Sequence, residues 1–236
     1  MASKREYYYQ DDRSDKFWTV EVVGQTVVTT YGRRGAMPRE TRKDFADPAA
    51  PERERDKLIA AKLREGYLEG SIDSVPPRTP PDWASMAMSD EVFWRIIDLL
   101  NWRRTGDDDA VIEPAVKALA KMGGENVLRF ADILAEKLYA LDTRAHALEI
   151  GQYAYDPVKD YVSADWFLYV RCCVVANGKA RYEQVLADPK AMVKDLEFEA
   201  LLTIAPEAHE RATGEEYDHL SPLSYETFSN REGWRE

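Results

Sequence analysis

Two Pro-Pro pairs, Pro76-Pro77 and Pro80-Pro81, fall inside the stretch DSVPPRTPPDW at residues 73–83. Each proline fixes φ near about −65°, removes an amide donor and drives the preceding residue out of the helical region. Neither a helix nor a central strand can run through such a stretch, so the chain has to fold in separate pieces joined by a semi-rigid, extended spacer. The hydrophobic period changes across it, from two to helical. The expected organisation is a sheet-and-helix domain over residues 1–72, a proline linker over 73–83 and a helical domain over 84–236, an α+β chain overall.

Before the linker, Trp18, Val20 and Val22 alternate with Phe17, Thr19 and Glu21, as on a half-buried strand. Gly24-Gln25 reads as a two-residue hairpin turn with glycine at its first central position. On the returning strand Val27, Thr29, Tyr31 and Arg33 share one face, and Val28 and Thr30 point the other way. A strand at Glu6–Gln10 and another at residues 39–45 complete a small antiparallel sheet. Asp47-Pro48 reads as a helix start, with Leu58, Ile59 and Leu63 as the buried face, Gly66 as the stop and a last short strand at 67–69.

After the linker, Ser89 can cap a helix carrying Val92, Phe93, Ile96, Ile97 and Leu100. Further helices are expected near 109–121, 125–141, 143–153, 164–177, 179–187 and 195–213, with Asn177-Gly178 as a helix end. The closing SPLSYETFSNREGWRE has no period and is expected to wrap over the helices.

Charge is distributed unevenly. Residues 1–70 hold 14 Lys and Arg against 13 Asp and Glu, whereas residues 71–236 hold 18 against 30. The second part should repel nucleic acid, so phosphate contact, if any, belongs to the first. The start, MASKREYYYQ, does not read as a signal peptide. The longest apolar run, Trp166 to Ala176, is too short to cross a bilayer and contains Arg171. The two cysteines, Cys172-Cys173, are adjacent and read as buried thiols in a reducing compartment. A cytoplasmic protein is expected.

The stretch Val27-Val28-Thr29-Thr30-Tyr31-Gly32-Arg33-Arg34-Gly35 places an aromatic face and two guanidinium groups at the end of a stiff strand. Such groups stack on bases or sugars and grip phosphates. With Phe17-Trp18-x-Val-x-Val, Thr41-x-Lys43-x-Phe45 and Lys57-Leu58-Ile59-x-x-Lys62-x-x-x-Gly66-Tyr67, it resembles the WGR domain of poly(ADP-ribose) polymerases and bacterial regulator-like proteins. That resemblance implies an antiparallel sheet with a flanking helix and contact with broken DNA. By the same resemblance Tyr31 takes the stacking role that Trp has in the family, Gly32 allows close approach and Arg33 takes the Arg role. With Arg34, Tyr31 and Arg33 would form a stacking platform with a phosphate clamp, and Arg39, Arg42 and Lys43 would extend a basic rim, although Arg42 and Lys43 point to opposite faces. The pieces Phe93-Trp94-x-Ile-Ile, Phe167-Leu168-Tyr169-Val170-Arg171, Tyr182-x-x-Val185-Leu186-x-Asp188-Pro189, Glu197-x-Glu199-x-Leu201-Leu202 and Ser224-Tyr225-Glu226-Thr227-x-Ser229-Asn230-x-x-Gly233-Trp234 resemble a bacterial domain of unknown function that can follow a WGR module.

Other chemistry is sparse. His146, His209 and His219 lack metal-ligand spacing, and neither a metal nor a cofactor is expected. Asp107-Asp108-Asp109 reads as a charged helix start. Glu197 and Glu199 would face different ways on a helix. Arg171, inside an apolar run, needs a partner. The expectation is an ion pair to an acid at 195–199 or in the tail, against the alternative of a substrate-carboxylate anchor in a pocket shaped by Arg171, Tyr225, Asn230 and Trp234. There is no Gly-rich phosphate loop and no nucleophile elbow. The expected function is a non-enzymatic binding or adaptor protein that touches a DNA end or backbone through Tyr31, Gly32, Arg33 and Arg34, with the helical part engaging a protein partner. The alternatives are a module for protein contact only and, third, an enzyme with its pocket at Arg171.

Overall fold

The computed structural model describes residues 4–11 and 14–235; the first three residues of the polar start lie outside that range. Strands β1 (Arg5–Gln10), β2 (Asp15–Val23), β3 (Thr26–Arg33) and β4 (Arg39–Asp44) follow one another as antiparallel neighbours. Helix α1 (Ala50–Arg64) comes next, and β5 (Leu68–Glu69) then pairs with β1, giving the order β4-β3-β2-β1-β5. The β2–β3 hairpin closes at Gly24, whose φ of 62° suits the tight turn, and its register pairs Val22 with Val27 and Val20 with Thr29. Trp18, Val20, Val27 and Tyr7 line the sheet face that packs on Ile59 of α1 and on Tyr67.

The helix starts later than the sequence reading and buries a narrower face, while its end falls at Gly66 as expected. It starts at Ala50 with Pro51 in its first turn, because Asp47 spends its carboxylate on a tight turn, accepting from the Ala49 amide at 3.0 Å. Leu63 is 49% exposed and is not part of the buried face. Gly66, at φ 86°, ends the helix: its amide bonds the Leu63 carbonyl, and the Tyr67 amide reaches back to Lys62.

The chain divides between Pro81 and Asp82 into two compact units. The second holds α2 (Asp90–Ile97), α3 (Asp108–Ala120), α4 (Gly124–Ala140), α5 (Arg144–Ala147), α6 (Ala164–Ala176), α7 (Lys179–Ala187) and α8 (Ile204–Thr213). Ser89 and Asp107 cap α2 and α3 through their side chains, and Gly178 at φ 90° separates α6 from α7. Helix α6 is buried on almost every side, which explains an apolar run interrupted by Arg171 alone, and α8 packs against α3 and α4.

Two expected helices are shorter than their patterns. The segment 143–153 yields only α5, which stops at Ala147; beyond it Gly151 turns to φ 96°, where the Asp195 carboxylate occupies the space a Cβ would need. The segment 195–213 begins with Asp195 at φ 56°, and the Phe198 amide is drawn to the Tyr169 carbonyl. A 3-10 turn at Glu199–Thr203 follows before α8 starts.

Candidate functional site

Strand register assembles a site that no single stretch of sequence contains. Directly opposed residues of antiparallel strands point to the same face. One row across the sheet therefore reads Tyr9, Lys16, Arg33, and the next reads Tyr7, Trp18, Tyr31, Arg39. Both rows lie on the face that carries α1. Tyr7 and Trp18 are buried with ring centroids 5.5 Å apart, whereas Tyr31, next along the row, is 38% exposed. Arg33 and Arg39 are exposed and form no ion pair with any described residue.

Lys16, absent from the sequence expectation, sits with its ammonium 4.5 Å from the Tyr9 ring centroid and 5.4 Å from that of Tyr67. The two rings are 5.6 Å apart. Among the described residues no carboxylate pairs with Lys16, Arg33 or Arg39, so this corner offers aromatic faces and cations, which suits an anionic ligand with flat groups.

Three expected site residues serve the fold instead. Gly32 pairs with Phe17 on the opposite face, and a Cβ there would stand 3.2 Å from the Phe17 ring and 3.5 Å from the Pro38 backbone. Its missing side chain makes room for Phe17. Arg34 is only 19% exposed. Its Nε lies 3.1 Å from Asp15 Oδ2, and its Nη2 donates to the carbonyls of Ile72 and Val75. Lys43 is paired with Glu54 of α1 at 2.7 Å, which holds the Glu54 carboxyl below its usual range. It also lies four residues along β4 from Arg39, about 13 Å at strand rise.

In the second unit, Arg171 on α6 is fully buried. Among the described residues no carboxylate from 195–199 or the tail forms an ion pair with it, although the charge of Glu226 in the tail acts on it from further off. Its Nη1 donates to the carbonyls of Leu138 (2.8 Å) and Tyr225 (3.0 Å), its Nη2 donates to Thr227 Oγ1 (2.9 Å), and its guanidinium lies 4.8 Å from the Phe167 ring centroid. Leu138 belongs to the last turn of α4, where carbonyls lack intrahelical partners and the helix dipole favours a cation. Burial pulls the Arg171 pKa down, and the nearby Asp142 charge opposes that. A guanidinium closed off from solvent is not a substrate anchor.

Asp142, which the sequence did not flag, is equally buried. It accepts from the Phe228 and Asn230 amides (3.2 and 2.9 Å), Ser229 Oγ (3.4 Å) and Trp234 Nε1 (2.9 Å). Asn230 and Trp234 are thus tail anchors. Tyr225 alone of the expected pocket set lines a cleft of about 300 Å³, alongside Tyr217 and His219.

No cluster of metal-ligating side chains occurs among the described residues. Both cysteines are buried, and burial pushes the Cys173 thiol up to about 11. His146 is buried between Thr143 Oγ1 (2.7 Å) and the Val185 carbonyl (3.1 Å). A carbonyl only accepts, so Nε2 carries the proton. Burial pushes its pKa below the usual value, against the Val185 bond that works the other way. Below about pH 6.5 the unfolded chain takes up a proton that the native site refuses. Stability present above that pH should therefore fall by up to about 1.4 kcal/mol per pH unit as the solution is acidified. Melting temperatures at pH 7.5 and 5.5 should differ less in His146→Gln than in the parent; an equal difference would contradict this.

Comparison with known proteins comes to the same two parts. Residues 5–73 match the WGR domain, and residues 88–211 match a family described as a protein of unknown function, DUF4240. The uncharacterized protein YfeS of Escherichia coli (strain K12) is 35% identical over 66 residues, 28% of this chain and 27% of that protein. Protein YehF of the same strain is 37% identical over 70 residues, 30% of this chain and 26% of that protein. The chain thus spans about a quarter of the length of these curated relatives. A crystal structure of a Bacteroides fragilis protein covers 51% of this chain and 40% of that one at 23% identity, with a TM-score of 0.30, too low to carry an argument.

Proposed function

Because the chain belongs to the DUF4240 family and sets a WGR domain ahead of that region, we propose that its first unit contacts nucleic acid through the corner formed by Lys16, Tyr31, Arg33 and Arg39. The observation that carries this reading is the register. It puts an exposed Tyr31 opposite Arg39 and two residues from Arg33, itself opposite Lys16, all on one face. Tyr31 would stack on a sugar or base at a strand end, and the three cations would take phosphates. Arg34 and Lys43 hold internal partners and are left out of this contact set.

The function is binding rather than chemistry, and the acidic second unit is the part that would engage a protein. With residues 73–83 as the joint, we take 1–72 and 84–236 as the working domains. No described helix is long and apolar enough to cross a membrane, and the two buried free thiols fit a reducing compartment, so we place the protein in the cytoplasm.

Three neutralised phosphates on duplex DNA imply a salt slope of about −2.7, roughly a forty-fold loss of affinity between 50 and 200 mM salt. Fluorescence anisotropy with nicked and blunt duplexes at low salt tests this. The double variant Tyr31→Ala, Arg33→Ala should bind at least about ten-fold more weakly, since stacking alone is worth about 1–3 kcal/mol per base. An absence of binding, or an unchanged double variant, would refute the reading. A protein-only role for the same corner is the second reading, favoured by the net −12 carried by residues 71–236. It predicts no DNA binding at any salt concentration.

A further inference from the structure

We propose that residues 75–81 are themselves a ligand: a preformed polyproline II ribbon, displayed by the first unit, for a partner protein with an aromatic-lined groove. The backbone here is over-determined. Pro76, Pro77, Pro80 and Pro81 have φ fixed by their rings, and Val75, Pro76, Thr79 and Pro80 each precede a proline and are confined to the extended region. Only Arg78 escapes both constraints, and its amide is pinned to Asp15 Oδ2 at 3.0 Å.

Burial then follows a period of three. Val75, Arg78 and Pro81 are half-buried, while Pro76, Pro77, Thr79 and Pro80 are exposed. Three residues per turn is the period of polyproline II. One edge of the ribbon therefore lies against the protein, and two edges, Pro76 with Thr79 and Pro77 with Pro80, face outward over about 19 Å.

Side chains from the sheet hold it there. Arg34 Nη2 donates to the carbonyls of Ile72 and Val75, Gln10 Nε2 donates to the Pro76 carbonyl at 2.8 Å, and Asp15 joins the Arg34 guanidinium to the Arg78 amide. Burial tends to raise the Asp15 pKa, but the Arg78 amide and Arg34 outweigh it and hold the carboxyl below its usual range. A flexible spacer needs none of these bonds. A displayed recognition element gains from them, because order already present is not lost again on binding. The spacing Pro77-x-x-Pro80 on an outward edge is what grooves of parallel aromatic rings accept.

The test titrates the full chain against an immobilised panel of SH3, WW and EVH1 modules. At least one module is expected to bind in the micromolar range. The variant Pro77→Ala, Pro80→Ala should weaken that binding at least ten-fold with an unchanged circular dichroism spectrum. Arg34→Ala, which releases the ribbon without altering its sequence, should weaken it by less than that but measurably, and a synthetic peptide of residues 73–83 should bind more weakly than the full chain. The Tyr31→Ala, Arg33→Ala variant should bind as the parent does, separating this surface from the nucleic-acid corner. No binding across the panel, or binding unaffected by Pro77→Ala, Pro80→Ala, overturns the proposal.

Discussion

Replacing Asp142 by Ala is expected to lower the melting temperature of the second unit by roughly 10 °C, the equivalent of about 3–5 kcal/mol. The carboxylate is shut away from solvent and accepts four hydrogen bonds from residues 228–234. Truncation leaves the Phe228 and Asn230 amides and the Trp234 indole N–H without their acceptor, while the Ser229 hydroxyl keeps the Ser224 and Glu226 carbonyls, and each orphan that stays out of water costs about 1–3 kcal/mol before relaxation. It also removes the largest negative-charge effect opposing the desolvation of Arg171, leaving the weaker one of Glu226. Differential scanning calorimetry reads the shift, and limited proteolysis should show residues 224–235 cut far faster than in the parent. A change below about 2 °C would mean that the tail is held by its aromatic contacts instead, chiefly Trp234 against Phe228, Phe167 and Tyr155.

The second large effect is expected at Arg171. The variant Arg171→Met keeps much of the side-chain volume and deletes the charge. It should cost about 3 kcal/mol or more, because the carbonyls of Leu138 and Tyr225 and the Thr227 hydroxyl lose their donor in the dry interior. The two variants should not be additive. Asp142 and Arg171 bind the same tail segment and interact electrostatically, so the double variant should be more stable than the sum of the single losses predicts, by about 1 kcal/mol or more. Strict additivity would show that the two groups act independently. Preserved stability in Arg171→Met would mean that the buried charge contributes nothing net, an outcome known for some buried ion pairs.

Much of the first unit was legible in the sequence because its constraints are local. The alternation of Trp18, Val20 and Val22 and the glycine turn at Gly24 define a hairpin without further information. That hairpin also contains Lys16. Once Gly24 and Gln25 are fixed as the turn pair, counting outward opposes Lys16 to Arg33, so the signal for the missed cation lay in the register rather than in any motif.

The roles of Gly32 and Arg34 could not be read this way. They depend on Phe17 across the strand and on carbonyls 38 and 41 residues further along the chain. In the second unit, periodicity located the helices but not their partners. A run such as Trp166–Ala176 shows that Arg171 must be neutralised or solvated, yet the groups that receive it are mostly backbone carbonyls, which look the same at every position in a sequence. Asp142 stands as a single acid between Leu141 and Thr143, and nothing nearby marks it. Its partners lie 86 to 92 residues away.

That separation sets a schedule for synthesis. A ribosome adding about 5–20 residues per second reaches the tail that satisfies Asp142 roughly 5–20 seconds after it has made Asp142 itself. Once α6 has also been made, it can pack on α4 and Arg171 can reach the Leu138 carbonyl, but the Asp142 carboxylate and the remaining bonds of the guanidinium still wait for the tail. Residues 224–234 then close as a latch on a helical body already in place, and a nascent chain held before that point is where a chaperone or a protease would have a good opportunity to act.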